Sequence, residues 1–191
     1  MLRLYLTMLP LLLAGVANML FTKTAFYHRH STPIDGGRNA WDGKALLGKN
    51  KTWIGFGGMV LFCTLFQLFW GDLFRLLSLE QYHDLYRCRG NTWLLNVTFG
   101  FGMGVIYMLS ELPNSFIKRR LDIPPGWTRG GLLGAIFFII DQIDSLVGVM
   151  LLLMLLTDIG FVGYLQYVAV GAVTHIGVNL VLWALKVRKN I

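Results

Sequence analysis

Two carboxylates stand three residues apart inside an apolar stretch, in Phe137-Phe138-Ile139-Ile140-Asp141-Gln142-Ile143-Asp144-Ser145. That spacing puts Asp141 and Asp144 on one face of a helix. If the helix starts near Gly131, Asp141 lies about 15 Å along it at 1.5 Å per residue. Two like charges on one face in hydrocarbon repel each other and are costly to desolvate. They need cations, protons or a water-filled cavity. A structural pair neutralised by Lys118 or Arg119 would meet that need, but ionisable pairs inside a membrane more often mark a site. Glu111 stands just ahead of Pro113-Asn114-Ser115-Phe116-Ile117-Lys118-Arg119-Arg120. It can pair with that basic run, or approach the two aspartates if the helices carrying them pack together. Three oxygen-donor residues suit one or two hard divalent cations such as Mg²⁺, which take their remaining ligands from phosphates and water.

A second cluster comprises Pro33-Ile34-Asp35-Gly36-Gly37-Arg38, Trp41-Asp42-Gly43-Lys44 and Leu47-Gly48-Lys49-Asn50-Lys51-Thr52-Trp53. Glycines let the backbone approach a ligand closely, and interleaved cations suit a polyphosphate. Gly43 to Lys49 matches the start of a P-loop pattern, but Asn50 replaces the required Ser or Thr and no strand precedes it. A loop that binds anionic lipid would explain the cations, but neither the glycines nor Asp35 and Asp42. The histidines add little. His28 and His30 flank Arg29 and suit headgroups, and His83 falls in another connection. His175 suits a packing hydrogen bond better than a metal, having no second ligand nearby in sequence. Cys63 and Cys88 form no disulfide framework and read as structural.

The elements that must position these residues are membrane spans. Of 191 residues, 55% are hydrophobic and 14% charged, against about 25% charged in soluble domains. This excludes a disordered tail and argues against a water-soluble globule. Five stretches are long and apolar enough to cross a bilayer: roughly Leu4–Phe21, Trp53–Trp70, Trp93–Leu112, Gly131–Leu156 and Ile159–Leu185. The last two, separated by Thr157 and Asp158, must form a tight antiparallel hairpin. An interfacial helix is expected around Phe74–Leu79, and Pro113–Gly130 reads as a basic loop. Trp53, Trp70, Trp93 and Trp183 fall near span ends, where amphipathic rings favour the interface. Glycines scattered through the spans allow close helix approach.

Lysine and arginine total 17 against 10 acidic residues, a net charge of +7. With five uncleaved spans, thirteen cations fall on one side: Lys23, Arg29, Arg38, Lys44, Lys49, Lys51, Lys118, Arg119, Arg120, Arg129, Lys186, Arg188 and Lys189. Arg3, Arg75, Arg87 and Arg89 fall on the other. The positive-inside rule then puts the richer side in the cytoplasm and the N-terminus outside. Reading the first span as a cleaved signal peptide would break that pattern. The expectation is one all-α integral membrane domain over residues 1–191, with five transmembrane helices in the cell membrane and a polar site facing the cytoplasm. In a membrane protein the cation excess points to anionic lipid headgroups or phosphorylated substrates rather than nucleic acid.

With Asn18 in the first span, these motifs resemble the CDP-archaeol synthase family, smaller relatives of the CDP-diacylglycerol synthases. The Ser115–Arg120 run and Asp141-Gln142-Ile143-Asp144 carry the specificity, and the Asp35-Gly36-Gly37, Asp42-Gly43 and Leu47–Trp53 segments complete the family order. The resemblance implies five membrane helices and a CTP:lipid-phosphate cytidylyltransferase that uses Mg²⁺ in phospholipid biosynthesis. It implies Asp141, Asp144 and Lys118 as catalytic residues, and Asp141, Asp144 and Glu111 as metal ligands. It places Asp35, Gly36, Gly37, Asp42, Gly43, Lys49, Lys51, Thr52, Ser115, Arg119 and Arg120 around the nucleotide. Two departures stand out: the family usually has Asp where Glu111 stands, and often Arg where this chain has Ile54. The polar segment 71–92 is not typical of archaeal members, which leaves an archaeal ether lipid, a diacyl lipid or a polyprenyl phosphate as the acceptor. A homodimer is left open. An ion or proton transporter would also use the aspartates, without needing the glycine-and-lysine loop. A non-catalytic scaffold would not need buried carboxylates.

Overall fold

A computed structural model describes residues 1–127 and 129–184, apart from the side chain of Leu182. Seven α-helices follow one another: α1 (Leu2–Phe21), α2 (Ala25–His30), α3 (Trp53–Leu76), α4 (Asp84–Arg89), α5 (Trp93–Arg120), α6 (Gly131–Leu156) and α7 (Gly160–Ala184). Five of them, α1, α3, α5, α6 and α7, are long and apolar enough to cross a membrane. Three helices, α2, α3 and α5, begin at a threonine. The hydroxyls of Thr24, Thr52 and Thr92 accept from the amides of Tyr27, Gly55 and Leu95 at 3.1–3.2 Å, satisfying an amide that a helix start otherwise leaves unpaired.

α3 and α5 form the centre of the bundle, with α1 against α3 and α6 against α5. Their closeness is set by glycine. A Cβ on Gly104 would approach the Val60 Cα to 2.5 Å, and one on Gly100 the Thr64 Cα to 2.7 Å. Any larger residue would therefore push two backbones apart. α1 supplies Met8, Leu11 and Ala14 to the buried core beside Met59, Met103 and Val149. Facing outwards are Leu61, Leu65 and Phe69 of α3, Leu151 and Leu155 of α6, and Phe161, Val162 and Leu165 of α7. Such a belt suits lipid, not water.

The helix boundaries correct three expectations. α3 runs on to Leu76 and ends in a left-handed residue, Ser78 (φ 54°), with the Leu79 amide bonded back to Phe74 O at 2.9 Å. No separate helix therefore forms at 74–79; the short one on this face is α4, after a single 3₁₀ turn at Glu80–Tyr82. α5 passes through Pro113 and ends in a similar cap, with Asp122 at φ 57° and Ile123 N bonded to Lys118 O at 3.0 Å. The basic run 118–120 is consequently its last turn and not a loop. Trp70 is 8% exposed and donates from Nε1 to Leu6 O at 2.9 Å. It is a pin between α3 and α1, whereas Trp53 and Trp93 are exposed at helix starts as expected.

α6 and α7 do form a tight hairpin, turned at Gly160 (φ 63°). Each end of the bundle carries a cap. On one face, segment 77–92 is tied to the hairpin by the Arg87–Asp158 ion pair and by Arg89 Nε donating to Leu156 O at 2.8 Å. Asp84 there is buried, accepting from the Tyr167 hydroxyl at 2.6 Å. On the opposite face, segment 22–52 folds over the end of α5. Lys186, Arg188, Lys189 and the expected span end at Leu185 lie outside the described residues.

Candidate active site

Segment 22–52 is an ordered lid built around its own acidic residues. Thr32 and Pro33 return beside Thr52 and Trp53, and a small hairpin pairs Asn39 with Ala45. The Asp35 carboxylate faces inwards, accepting from the amides of Gly37 at 2.9 Å, Leu47 at 2.8 Å and Gly48 at 3.3 Å. Partial burial pushes its pKa up, but these three amides outweigh that and hold it below the usual carboxylate value. Asp42 accepts from the Lys44 amide at 3.0 Å and faces Arg120 Nε at 3.1 Å. The Arg120 guanidinium also bonds the carbonyls of Lys44 and Ala45 and lies 4.7 Å from the Phe116 ring centroid. Lys44 in turn bonds Arg120 O at 2.9 Å and Asp122 at 2.7 Å. Gly48 has φ 104°, and a Cβ on it would meet Pro125 Cγ at 2.8 Å and Arg119 Nε at 3.2 Å. The lid can lie flat on α5 only because that residue is glycine.

Under the lid lies a cavity of about 440 Å³, walled by all five long helices. At its centre, Asn114 Nδ2 donates to Asp141 Oδ1 and to Asp144 Oδ2, both at 2.7 Å. One amide therefore holds the two carboxylates in a single small volume. Lys118 Nζ lies 2.5 Å from both oxygens of Asp141, and Asp144 also accepts from the Ser145 amide at 2.7 Å. Lys51 bonds Glu111. Burial alone would lower the Lys51 pKa, but Glu111, with Asp144 and Asp141 beyond it, holds the ammonium above its ordinary value. Each lysine thus offsets one carboxylate, Lys118 on Asp141 and Lys51 on Glu111, and among the described residues Asp144 has no ion pair of its own. Asn114 Oδ1 is buried with no partner among the described residues.

Of the residues singled out from sequence, Asp141, Asp144, Glu111, Lys118, Lys51, Thr52, Ser115 and Arg119 line this one cavity. The Thr52 hydroxyl is engaged by Tyr27 at 2.9 Å and by the α3 cap. Asp35, Gly36, Gly37, Asp42, Gly43, Lys49 and Arg120 do not line it. Gly36, Gly37 and Gly43 have φ values of 62–76° and make the lid's turns, and Lys49 is exposed on its surface. Among the described residues, no three His, Cys, Asp or Glu side chains gather as a ready-made metal cluster. A hard cation would find two carboxylates and the unpartnered Asn114 Oδ1 at the centre, a donor set that suits an ion completing its shell from phosphate or water.

Asn114 is the principal residue that the sequence reading missed. Its spacing of four from Lys118 puts both on one helix face, but an asparagine in a basic run carries no signal of what it faces. Gln142 and Asn179 were also missed. Asn179 Nδ2 donates to Gln142 Oε1 at 2.9 Å, joining α7 to α6 at the cavity wall. His175 lines the cavity with Nδ1 3.4 Å from Gln142 O.

Comparison with known proteins gives consistent results. The family model described as CarS-like, CDP-archaeol synthase, matches residues 1–191. A CDP-archaeol synthase of Saccharolobus solfataricus is 30% identical over 161 residues, covering 84% of this chain and 81% of that one. A CDP-archaeol synthase of Thermococcus kodakarensis is 38% identical over 103 residues, and the match spans about half of each chain, 52%. Among solved structures, one described as an intramembrane enzyme for archaeal membrane lipids biosynthesis superposes with a TM-score of 0.60 at 22% identity, over 92% of each chain. That likeness is one of fold.

Proposed function

The chain belongs to the CarS-like CDP-archaeol synthase family, CTP-dependent lipid cytidylyltransferases, and from that premise we propose that it converts CTP and a membrane lipid phosphate to CDP-lipid and pyrophosphate. The observation that carries this reading is the Asp141–Asn114–Asp144 bridge with Lys118 and Lys51 beside it, in a cavity shared by five membrane helices.

A phosphate monoester has its second pKa near 6, so a lipid phosphate is already largely a dianion at neutral pH. Its oxygen forms the new bond to the α-phosphorus of CTP as the bond to pyrophosphate breaks. No strong general base is needed, and the protein's task is to position two anions in line and offset their repulsion. Asp141 and Asp144, with the Asn114 carbonyl oxygen, would hold one or two Mg²⁺ ions, which when bound supply charge neutralisation at the phosphates. Lys118, Lys51 and Arg119 bind and orient the phosphate oxygens. Lys118 and Lys51 currently neutralise Asp141 and Glu111, so phosphates compete for ammonium groups already held in place. The folded lid contributes Tyr27, Leu47, Lys51 and Thr52 to the cavity wall. Its role is to cover the site, and Asp35, Asp42 and Arg120 hold it in shape. The excess of cations on the lid face supports a cytoplasmic site with the N-terminus outside.

The test is to supply purified protein with labelled CTP, Mg²⁺ and a panel of lipid phosphates and to follow label into the organic phase. Transfer is expected with at least one of them, and Asp141→Asn should lower it at least a hundredfold. Absence of transfer to every lipid phosphate would overturn the assignment.

A further inference from the structure

The walls of the cavity change character with depth in the same way on each of four helices. On α1 the lining passes from Asn18, near the lid, to Gly15 and then Leu11. On α3 it passes from Thr52 to Met59, on α5 from Lys118 through Asn114 to Met108, and on α6 from Asp141 and Asp144 to Leu146. From Met19 to Leu11 the α1 lining spans eight residue steps, about 12 Å at 1.5 Å per residue. The cavity is therefore an elongated channel, charged at the lid end and apolar towards the middle of the membrane. A lipid of the adjoining leaflet has the same polarity and direction: phosphate at the interface, hydrocarbon towards the midplane.

Gly15 holds a special place on this wall. It lines the channel below the charged zone, and a Cβ built on it would meet no atom within 4 Å. Neither a turn nor a helix contact requires glycine there, unlike Gly48 or Gly104. A side chain at this position would project into open space without displacing a neighbour.

Resting on the cytidylyltransferase reading, we propose that the deep apolar arm bounded by Leu11, Gly15, Met59, Met108 and Leu146 holds the hydrocarbon nearest the phosphate of the lipid acceptor, and that Gly15 sets how bulky that hydrocarbon can be. The phosphate stands at the Asp141–Asp144 level, reached from below, while the nucleotide enters from the lid side. The two reacting groups then approach from opposite ends of one channel. The absence of a side chain at residue 15 leaves room for a branched or double chain beside α1.

The test compares wild type with Gly15→Leu and Gly15→Ala in transfer of labelled cytidylate to phosphates of straight, branched and two-chain lipids, and to a short-chain phosphate. Labelled CTP binding is measured separately. In Gly15→Leu, kcat/KM for bulky acceptors relative to the short-chain acceptor should fall at least tenfold, mainly through KM, with the CTP Kd within twofold of wild type. Gly15→Ala should fall in between. Equal losses on all acceptors, or unchanged selectivity, would overturn the proposal while leaving the activity in place. A wild-type protein that transfers to no lipid phosphate would instead overturn the reading on which it rests. Should Gly15→Leu not fold, a photoactivatable lipid phosphate decides the matter. Crosslinks within Leu11–Gly15 or at Met108 support the proposal, and crosslinks confined to the outer apolar belt refute it.

Discussion

Asn114 makes two hydrogen bonds that no charged residue could replace. A lysine there would neutralise the aspartates and an aspartate would repel them, whereas a neutral amide holds both oxygens at 2.7 Å and leaves their charge intact. Asn114→Leu, similar in volume but without donors, should lower turnover by about 10–100-fold, the usual cost of losing a group that orients ligands. It should also raise the Mg²⁺ concentration needed for half-maximal rate. A Tm close to wild type with both kinetic changes would separate positioning from folding. This residue also marks the limit of what the sequence disclosed about the site. Charged residues inside apolar runs announce themselves because their burial is costly, so Asp141 and Asp144 were legible, while Glu111 stood at a span end and Lys118 in the basic run that could pair with them. An amide that serves them is not costly enough to stand out. The lid shows the converse: Asp35, Asp42 and Arg120 have the residue types of a phosphate site, yet their partners are the lid's own amides, carbonyls and rings.

At the scale of elements, the spans were read correctly, α6 to the residue, but the C-terminal ends of α3 and α5 were not. Hydropathy registers where a helix is apolar, and both α3 and α5 continue past that point as polar helix until a left-handed residue stops them. Contacts between helices test the packing directly. Gly104→Val would drive a side chain into the α3 backbone and should cost about 1–3 kcal/mol, seen as a lowered Tm in detergent. Gly102→Ala, whose Cβ would rest 3.5 Å from Leu152 Cδ2, should leave Tm nearly unchanged. The cap at the far end is sensitive to acid. His83 is fully buried, stacked on Tyr86 at 3.9 Å between centroids, with neither ring nitrogen bonded among the described residues. Burial pushes its pKa from the ordinary 6.5 down to about 3. Below pH 6.5 the unfolded chain takes up a proton that the folded one refuses, so this group costs up to about 1.4 kcal/mol of stability per pH unit as pH falls towards 3. His83→Leu should flatten the decline in Tm between pH 7 and 5, and an unaltered slope would show that the loss originates elsewhere.

For the molecule as a whole, the proposed topology puts the two caps in different compartments, and the lid together with the lid-side residues Lys118, Arg119, Arg120 and Arg129 carries most of the described cations. In intact cells, the thiol of Lys49→Cys in a Cys88→Ser background should resist a membrane-impermeant reagent and react once the membrane is permeabilised. The five-span plan was legible because each span needs only length and apolarity. The cavity was not, since it depends on which faces of five helices meet, and sequence spacing fixes a face but not its neighbour. The outer belt of Leu61, Phe69, Leu155 and Phe161 has a kinetic consequence. A protein wrapped in hydrocarbon collects a lipid acceptor by diffusion in two dimensions, so the quantity that saturates it is the mole fraction of acceptor in the bilayer. Diluting that acceptor with inert lipid slows the reaction even when the amount per millilitre is unchanged, whereas the nucleotide continues to obey its ordinary volume concentration.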